Sequence, residues 1–595
     1  MRKQLTSVVA AFLLCATGNA AESIDAQATS AKVDQLLNQA FQAAKVKVAP
    51  VTSDDDFIRR VTLDLIGRFP SSREVRQFRS SVSSEKRAEL IERLLKSDSY
   101  ARNWAAYWRN VIMSRATDQR ARLARRSLES WLTARFKENA GWDKIATRLV
   151  TGTGDVRVKG EAGFIFAHGA DAKEVAAETS RIFMGIQIQC ANCHDHPTDK
   201  WNRKQFHQLA AFFPRMRVVA VRNPQLNRIQ SFEVISSESR RRGYQVDPRR
   251  FIRDYDKDRD GSISKKDVEG LRLERFVSFM VRRFDRNKDG KLSKEELETM
   301  TRRSNRYGRD RGREYYVAGL TKNNRRSRVD PVFFASEQEI ERGLKDIDRR
   351  GTLAKLMTSP DNKWFAQAFV NRIWSEMLGE GFYMPIDDMG PQRNARFPKV
   401  LALLSESFTK SGYDVKLLYR TIANTEAYQR QIQARDPAKP GLPFAAAQPT
   451  RLRSDQIYNA VRQALGVSRL QRGRFRFGSS RRERSLFSQM FSFDPSTPQS
   501  DIVGNVPQAL FMMNNRSLNS HINGRGYTRL AKILRQTKQD KEALRQVYLM
   551  VHSREPSKKE LGICTKYIAK VDDRTEAFED ILWTLLNSSE FLTKR

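Results

Sequence analysis

Asp256, Asp258 and Asp260 alternate through the stretch ahead of Gly261, and Asp285, Asn287 and Asp289 repeat the arrangement ahead of Gly290. Each run opens a twelve-residue loop, closed by Asp267 in the first and Glu296 in the second. Side-chain oxygens at positions 1, 3 and 5, a backbone carbonyl at position 7 from Ser262 or Lys291, and a carboxylate at position 12 are the donors that surround a calcium ion. Glycine at position 6 permits the sharp turn between them. The spacing is that of an EF-hand. Position 8 is aliphatic in both loops, Ile263 and Leu292, which predicts a short two-stranded ribbon joining the pair. Asp267 is one methylene shorter than the usual glutamate, so the second loop is expected to bind more tightly, although the first carries four carboxylates against three. Between the loops the spacing predicts a helix with Leu271, Phe276, Phe279, Met280 and Phe284 along one side.

The chain is 595 residues long, enough for several domains with substantial cores. Arg2 and Lys3 precede an apolar run from Val8 to Ala16 and small residues through Ala20 and Ala21. This is the pattern of a signal peptide over 1–21, and it implies a periplasmic or secreted protein. Leu14 before Cys15 is a poor lipidation context. No later stretch is long and apolar enough to predict a membrane span.

Lysine and arginine number 107 against 69 aspartates and glutamates, a formal charge of +38. The excess gathers at 240–242, 249–250, 302–313, 325–328 and 472–484. In an exported protein such runs point to an acidic or sulfated polysaccharide, anionic lipid or acidic protein, and not to nucleic acid. Solvated surface charge is the competing reading.

Outside the calcium segment the periodicity is almost wholly helical. Phe57, Val61 and Leu65 recur at four-residue spacing, Gly67 and Pro70 end that helix, and Ser71 with Glu74 forms a capping box for the next. Tyr100, Trp104 and Trp108 make an aromatic stripe, expected in the core. Gly152, Gly154 and Gly160 lack the context of a phosphate loop and read as turns. The expected fold is mainly α: a helical module over 30–215, a basic insert over 216–330 carrying the EF-hand pair at about 245–305, and a second helical module over 331–595.

Cys190-Ala191-Asn192-Cys193-His194 matches the c-type haem attachment pattern, two thiols for the vinyl groups and a histidine for the iron. His196 and His207 lie close behind in a chain with six histidines. Three readings stay open. The first is haem c with His207, Met184, Met216 or His168 as second axial ligand, in a protein exchanging electrons with a redox partner. The second is a zinc or iron site from Cys190, Cys193 and two of His194, His196 and His207. The third is a disulfide. Cys564 reads as a core thiol. No catalytic residues emerge: GxSxG and HExxH are absent, and the adjacent Asp387 and Asp388 cannot flank one glycosidic bond. A cap or a salt link to nearby arginines suits them better.

Phe57-Ile58-Arg59-Arg60-Val61-Thr62-Leu63-Asp64-Leu65-Ile66-Gly67-Arg68-Phe69-Pro70 and Gln189-Cys190-Ala191-Asn192-Cys193-His194-Asp195-His196-Pro197 resemble the N-terminal module of the planctomycete cytochrome-associated proteins of unknown function. Ala368-Phe369-Val370-Asn371-Arg372-Ile373-Trp374, Pro385-Ile386-Asp387-Asp388-Met389-Gly390-Pro391 and Leu585-Leu586-Asn587-Ser588-Ser589-Glu590-Phe591 resemble its C-terminal partner module. The resemblance implies no established activity. It implies company with polysaccharide and sulfatase systems, and it leaves the calcium pair as an addition outside both modules.

Overall fold

The structure is a computed structural model that describes residues 24–223, 228–237, 247–271, 273–299, 314–320, 326–341, 343–434, 441–467 and 479–594. The expected signal peptide, and the basic runs at 240–242, 302–313 and 472–478, lie outside the described residues. The protein is mainly α, as the sequence implies.

The helix endings follow the local chemistry. Helix α1 spans Ala26–Ala43 and α2 spans Asp54–Ile66. Gly67 ends α2 at φ 71°, and a Cβ there would meet Asn103 Oδ1 at 2.5 Å, so both backbone and packing demand glycine. The Ser71–Glu74 capping box forms as expected, with the Ser71 amide donating to Glu74 at 2.7 Å. Helix α3, Asp98–Met113, buries the whole aromatic stripe, with Trp104 and Trp108 wholly inaccessible.

That stripe joins the two modules. Trp104 stacks on Tyr419 at 4.2 Å, and Trp108 lies parallel to Phe369 at 5.3 Å. Each such aromatic pair contributes about 0.5–1.5 kcal/mol beyond its burial. Helix α4 spans Arg125–Lys137 and packs along α3; α5 spans Ala172–Met184 and packs on α6, Lys363–Leu378. Helix α1 lies against Pro398–Lys410 and Val415–Asn424. Residues on both sides of the insert therefore build one apolar core, running from Val33 to Phe444 and taking in Leu549. A second core begins at Leu452 and ends at Phe591, holds the helix α7, Ser479–Phe491, and draws in Leu63 and Phe69.

Two local features were not legible in the sequence. Residues 216–236, placed in the insert by composition, form strands Met216–Arg222 and Ile229–Ser236, which pair antiparallel and add Gly154–Asp155 as a third strand. Gly154 is thus a strand residue and not only a turn. Burial along the strand beginning at Met216 does not alternate, and past Met216 both faces are exposed or half-exposed, so the sequence carries no clear period-2 signal. In the insert the helix is Glu274–Phe284, and its buried positions are Val277 and Met280. Phe279 points to solvent at 58% exposure, because it lies off the face shared by 277, 280 and 284.

Candidate calcium and cysteine sites

In the insert the two loops meet as their position-8 residues predict. Ser262–Ser264 pairs antiparallel with Lys291–Ser293, placing Ile263 opposite Leu292, and both are fully buried in a small core with Val268, Val277, Met280 and Leu297. Gly261 and Gly290 take φ of 84° and 80°, and nothing lies where a Cβ would stand. The first carboxylate of each loop is split in its duties. Asp256 accepts from the Gly261 amide and Asp285 from the Gly290 amide, each at 2.9 Å through Oδ2. Their Oδ1 atoms are shielded from solvent with no hydrogen-bond partner. A buried carboxylate oxygen left without a donor is costly unless a cation completes it, so the residues fit a calcium ion. Asp256, Asp258 and Asp260 bring ligand oxygens within 4.8 Å of one another.

The closing acids are held for the same task. Asp267 accepts the Ser264 amide at 2.8 Å and the Lys257 amide at 3.1 Å; Glu296 accepts the Ser293 amide at 3.0 Å and the Arg286 amide at 2.7 Å. Burial pushes both carboxyls up, but these amides and the serine hydroxyls outweigh it and hold both below their ordinary values. Asn287 and Asp289 accept the Asp289 and Lys291 amides at 3.2 and 2.8 Å. The Lys291 side chain, free because position 7 uses only its carbonyl, forms an ion pair with Asp260 of the other loop. Lys291 and the Ser262 hydroxyl and amide bring Asp260 down to about 2.

The cysteine motif lies on a turn after α5. Ile188–Asn192 is a short 3-10 helix whose Ile188 and Ala191 are buried, leaving Cys190 and Cys193 exposed and unpaired. His194 is exposed, its Nδ1 at 2.7 Å from the Asp195 carbonyl; His196 Nδ1 accepts the Thr198 amide at 3.3 Å. His207 is elsewhere employed. It is fully buried, with Nδ1 at 2.9 Å from the Tyr315 hydroxyl and Nε2 at 3.1 Å from the Asn192 carbonyl. Burial, with Arg203 adding repulsion, lowers it to about 4. A tetrahedral site using His207 does not fit this arrangement, because both ring nitrogens are engaged. Met184, Met216 and His168 are likewise buried in the large core. Cys564 is half-buried beside Tyr548.

The turn is pinned from its other side. Met389 donates its amide to Gly185 at 2.9 Å, Arg393 reaches Thr198 at 3.1 Å, and Asp199 fills the space a side chain at Gly390 would need. Asp387 and Asp388 are structural. Asp387, buried to 1% exposure, accepts from Arg181 at 2.9 Å and pairs also with Arg372 and Ser496; Asp388 pairs with Arg393 at 3.0 Å. Burial would raise Asp387, but Arg372 and Arg181 hold it below its ordinary value. Asp64, Tyr428 and Lys594 make a similar buried cluster, with Lys594 3.0 Å from Asp64. Charge patterning in the sequence gave no sign of which acids and bases would pair across these distances.

Residues 32–218 match the family PSCyt2, a protein of unknown function (DUF1549), and residues 349–485 match PSD1, a protein of unknown function (DUF1553). Residues 282–301 match an EF-hand family. The chain joins the DUF1549 and DUF1553 modules and adds an EF-hand. No curated protein and no solved structure gives a significant match. Arg181 of the DUF1549 module and Arg372 and Asp387 of the DUF1553 module thus form a buried ionic joint between the two. The cysteine turn lies within DUF1549 but rests on residues of DUF1553 and on Tyr315 between them.

Proposed function

We propose that this protein is an exported calcium-binding scaffold, with the two loops of the insert as its metal sites. The unpartnered, shielded Oδ1 atoms of Asp256 and Asp285 carry the reading. The ion would be held by Asp256, Asp258, Asp260, the Ser262 carbonyl and Asp267 in one loop, and by Asp285, Asn287, Asp289, the Lys291 carbonyl and Glu296 in the other. Calcium there supplies positive charge that fixes loop geometry and, through the Ile263–Leu292 ribbon, couples one loop to the other. Calorimetry on the full chain should give calcium-dependent heat that Glu296→Gln reduces more than Asp267→Asn. No heat at about millimolar calcium, the weak end of the EF-hand range, would sink the reading.

A second reading concerns the cysteine turn. Exposed Cys190 and Cys193 are open to thioether formation, and the Nδ1 contact of His194 with a carbonyl leaves Nε2 as the ligating nitrogen, the tautomer that metal-bound histidines adopt. These features support a covalently held haem c in an electron-transfer protein. A haem would supply one-electron chemistry, and Cys190, Cys193 and His194 would attach and orient it. Protein exported through a cytochrome-maturation pathway should be red, and Cys190→Ala/Cys193→Ala should abolish the colour. A colourless protein releasing stoichiometric zinc to a chelator would favour Cys190, Cys193, His194 and His196 as a zinc site instead.

A further inference from the structure

A groove of about 1560 Å³ opens along α3, α4 and α7, far from the acidic loops in sequence and independent of the calcium and haem readings. Arg122, Arg125, Arg126 and Arg157 line it, joined by Arg102, Arg109 and Arg484. Among the described residues Glu129 is the one acid in this lining, and it is already paired with Arg109 and, at 3.6 Å, with Arg484. A neighbouring hollow of about 620 Å³ shares Arg102, Glu129 and Arg484 and extends the cationic wall to Arg462 and Arg529. Among the described residues of the basic runs visible in the sequence, Arg484 takes part.

The arrangement works against local stability. Arg125 and Arg126 occupy the first turn of α4, which has no acidic residue and no side-chain cap. Cations at the positive end of a helix are unfavourable by the macrodipole. Among the described residues, the guanidiniums of Arg122, Arg125, Arg126 and Arg157 have no ion-pair partner. Arg125 lies below its ordinary pKa, because surrounding protein strips its solvent and Arg109 repels it. An anion in the groove relieves each of these costs.

Trp131, half-buried among these arginines, adds an apolar wall, and Ser130, Thr133, Ser485 and Ser488 add hydroxyls. We propose that this groove binds an anionic polysaccharide. Guanidinium forks match carboxylate or sulfate oxygens two at a time, the indole face suits the C–H face of a sugar ring, and the groove's extension suits a chain over a single ion. A single-stranded nucleic acid needs successive aromatic platforms, and among the described residues Trp131 is the one aromatic side chain in this lining.

The test titrates full-length protein with heparin, polygalacturonate, neutral dextran and single-stranded DNA of matched charge, over a salt series. Heparin or polygalacturonate should bind and dextran should not; the choice between the first two identifies sulfate or carboxylate as the preferred anion. Arg125→Glu/Arg126→Glu should weaken binding by about tenfold or more, because charge-assisted contacts are lost. Arg249→Glu/Arg250→Glu removes equal charge outside the groove and should change affinity by less than about twofold, as screened charges do. Equal weakening by both variants would mean binding by net charge alone and would overturn the proposal. So would DNA binding as tight as the polysaccharide, or no polysaccharide binding at low salt. If circular dichroism shows the first variant unfolded, Arg122→Gln/Arg157→Gln decides in the same assay. Trp131→Ala should weaken polysaccharide but not inorganic polyphosphate.

Discussion

Lys291, at position 7 of the second calcium loop, pairs through its ammonium with Asp260, at position 5 of the first. A ligand carboxylate of one site is thereby neutralised by the neighbouring site's own chain. Calcium entering the first loop must displace this ammonium, so the pair lowers that loop's affinity in addition to the short Asp267. Lys291→Ala should tighten the weaker calcium step by no more than about three- to fivefold, since water and salt screen an exposed ion pair. Calorimetry resolves the two steps, and an unchanged weaker step would refute competition by Lys291.

Asp387 stands between Arg181 and Arg372 with all three side chains at 2% exposure. Asp387→Asn leaves buried guanidinium charge without its counter-ion, at a cost of about 3–5 kcal/mol. Thermal unfolding should shift clearly downward. Arg372→Met/Asp387→Asn should cost less than the two single changes added, because Arg181 keeps Glu178 at 2.5 Å. Strict additivity would show that the three do not act as a unit.

His168 and His552 are buried neutral histidines. Burial lowers the first to about 4 and the second to about 3. Between pH 6.5 and those values the unfolded chain binds protons that the folded one does not, so the stability gained from keeping them neutral is present above pH 6.5. It is lost as pH falls toward 4. For His168 the difference is on the order of 3 kcal/mol. Melting temperature should fall through this window, and His168→Leu should flatten the fall; an unaltered slope would argue that this histidine charges freely in the folded protein.

Cys190 and Cys193 are exposed, whereas burial raises the half-buried Cys564 thiol. In protein made without haem attachment, an alkylating reagent at about pH 8 should modify the first two rapidly and Cys564 slowly, because the thiolate is the reactive form. Mass spectrometry of timed digests reads this directly. Equal rates at all three would contradict the exposure difference.

What could be read from the sequence was what acts over a few residues. The Ile263–Leu292 pairing, the Gly67 helix end, the Ser71–Glu74 box and the burial of Trp104 all follow from spacing within single turns, loops or helices. The assignments that needed revision depend on distant partners. Phe279 lies one position from Met280 and two from Val277, off the buried face they share, and the 216–236 strands find their third member at Gly154. Trp108 meets Phe369 across the whole insert. His207 looked like a ligand because it is a histidine near two cysteines, but nothing local shows that Tyr315 claims one nitrogen. The arginine groove escaped notice for the same reason: its residues come from separate segments, while the contiguous runs drew attention.

The chain of contacts from Tyr315 through His207 to the Asn192 carbonyl means that the cysteine motif has no portable shape. Arg203 strengthens the same tie by donating to the Ala318 and Gly319 carbonyls, each at 2.8 Å. A graft of residues 186–202 onto another protein would carry both thiols and two histidines yet leave behind the tyrosine that fixes their floor. Five consecutive letters spell the motif, but as a physical object it is assembled from two stretches of chain with the calcium loops between them.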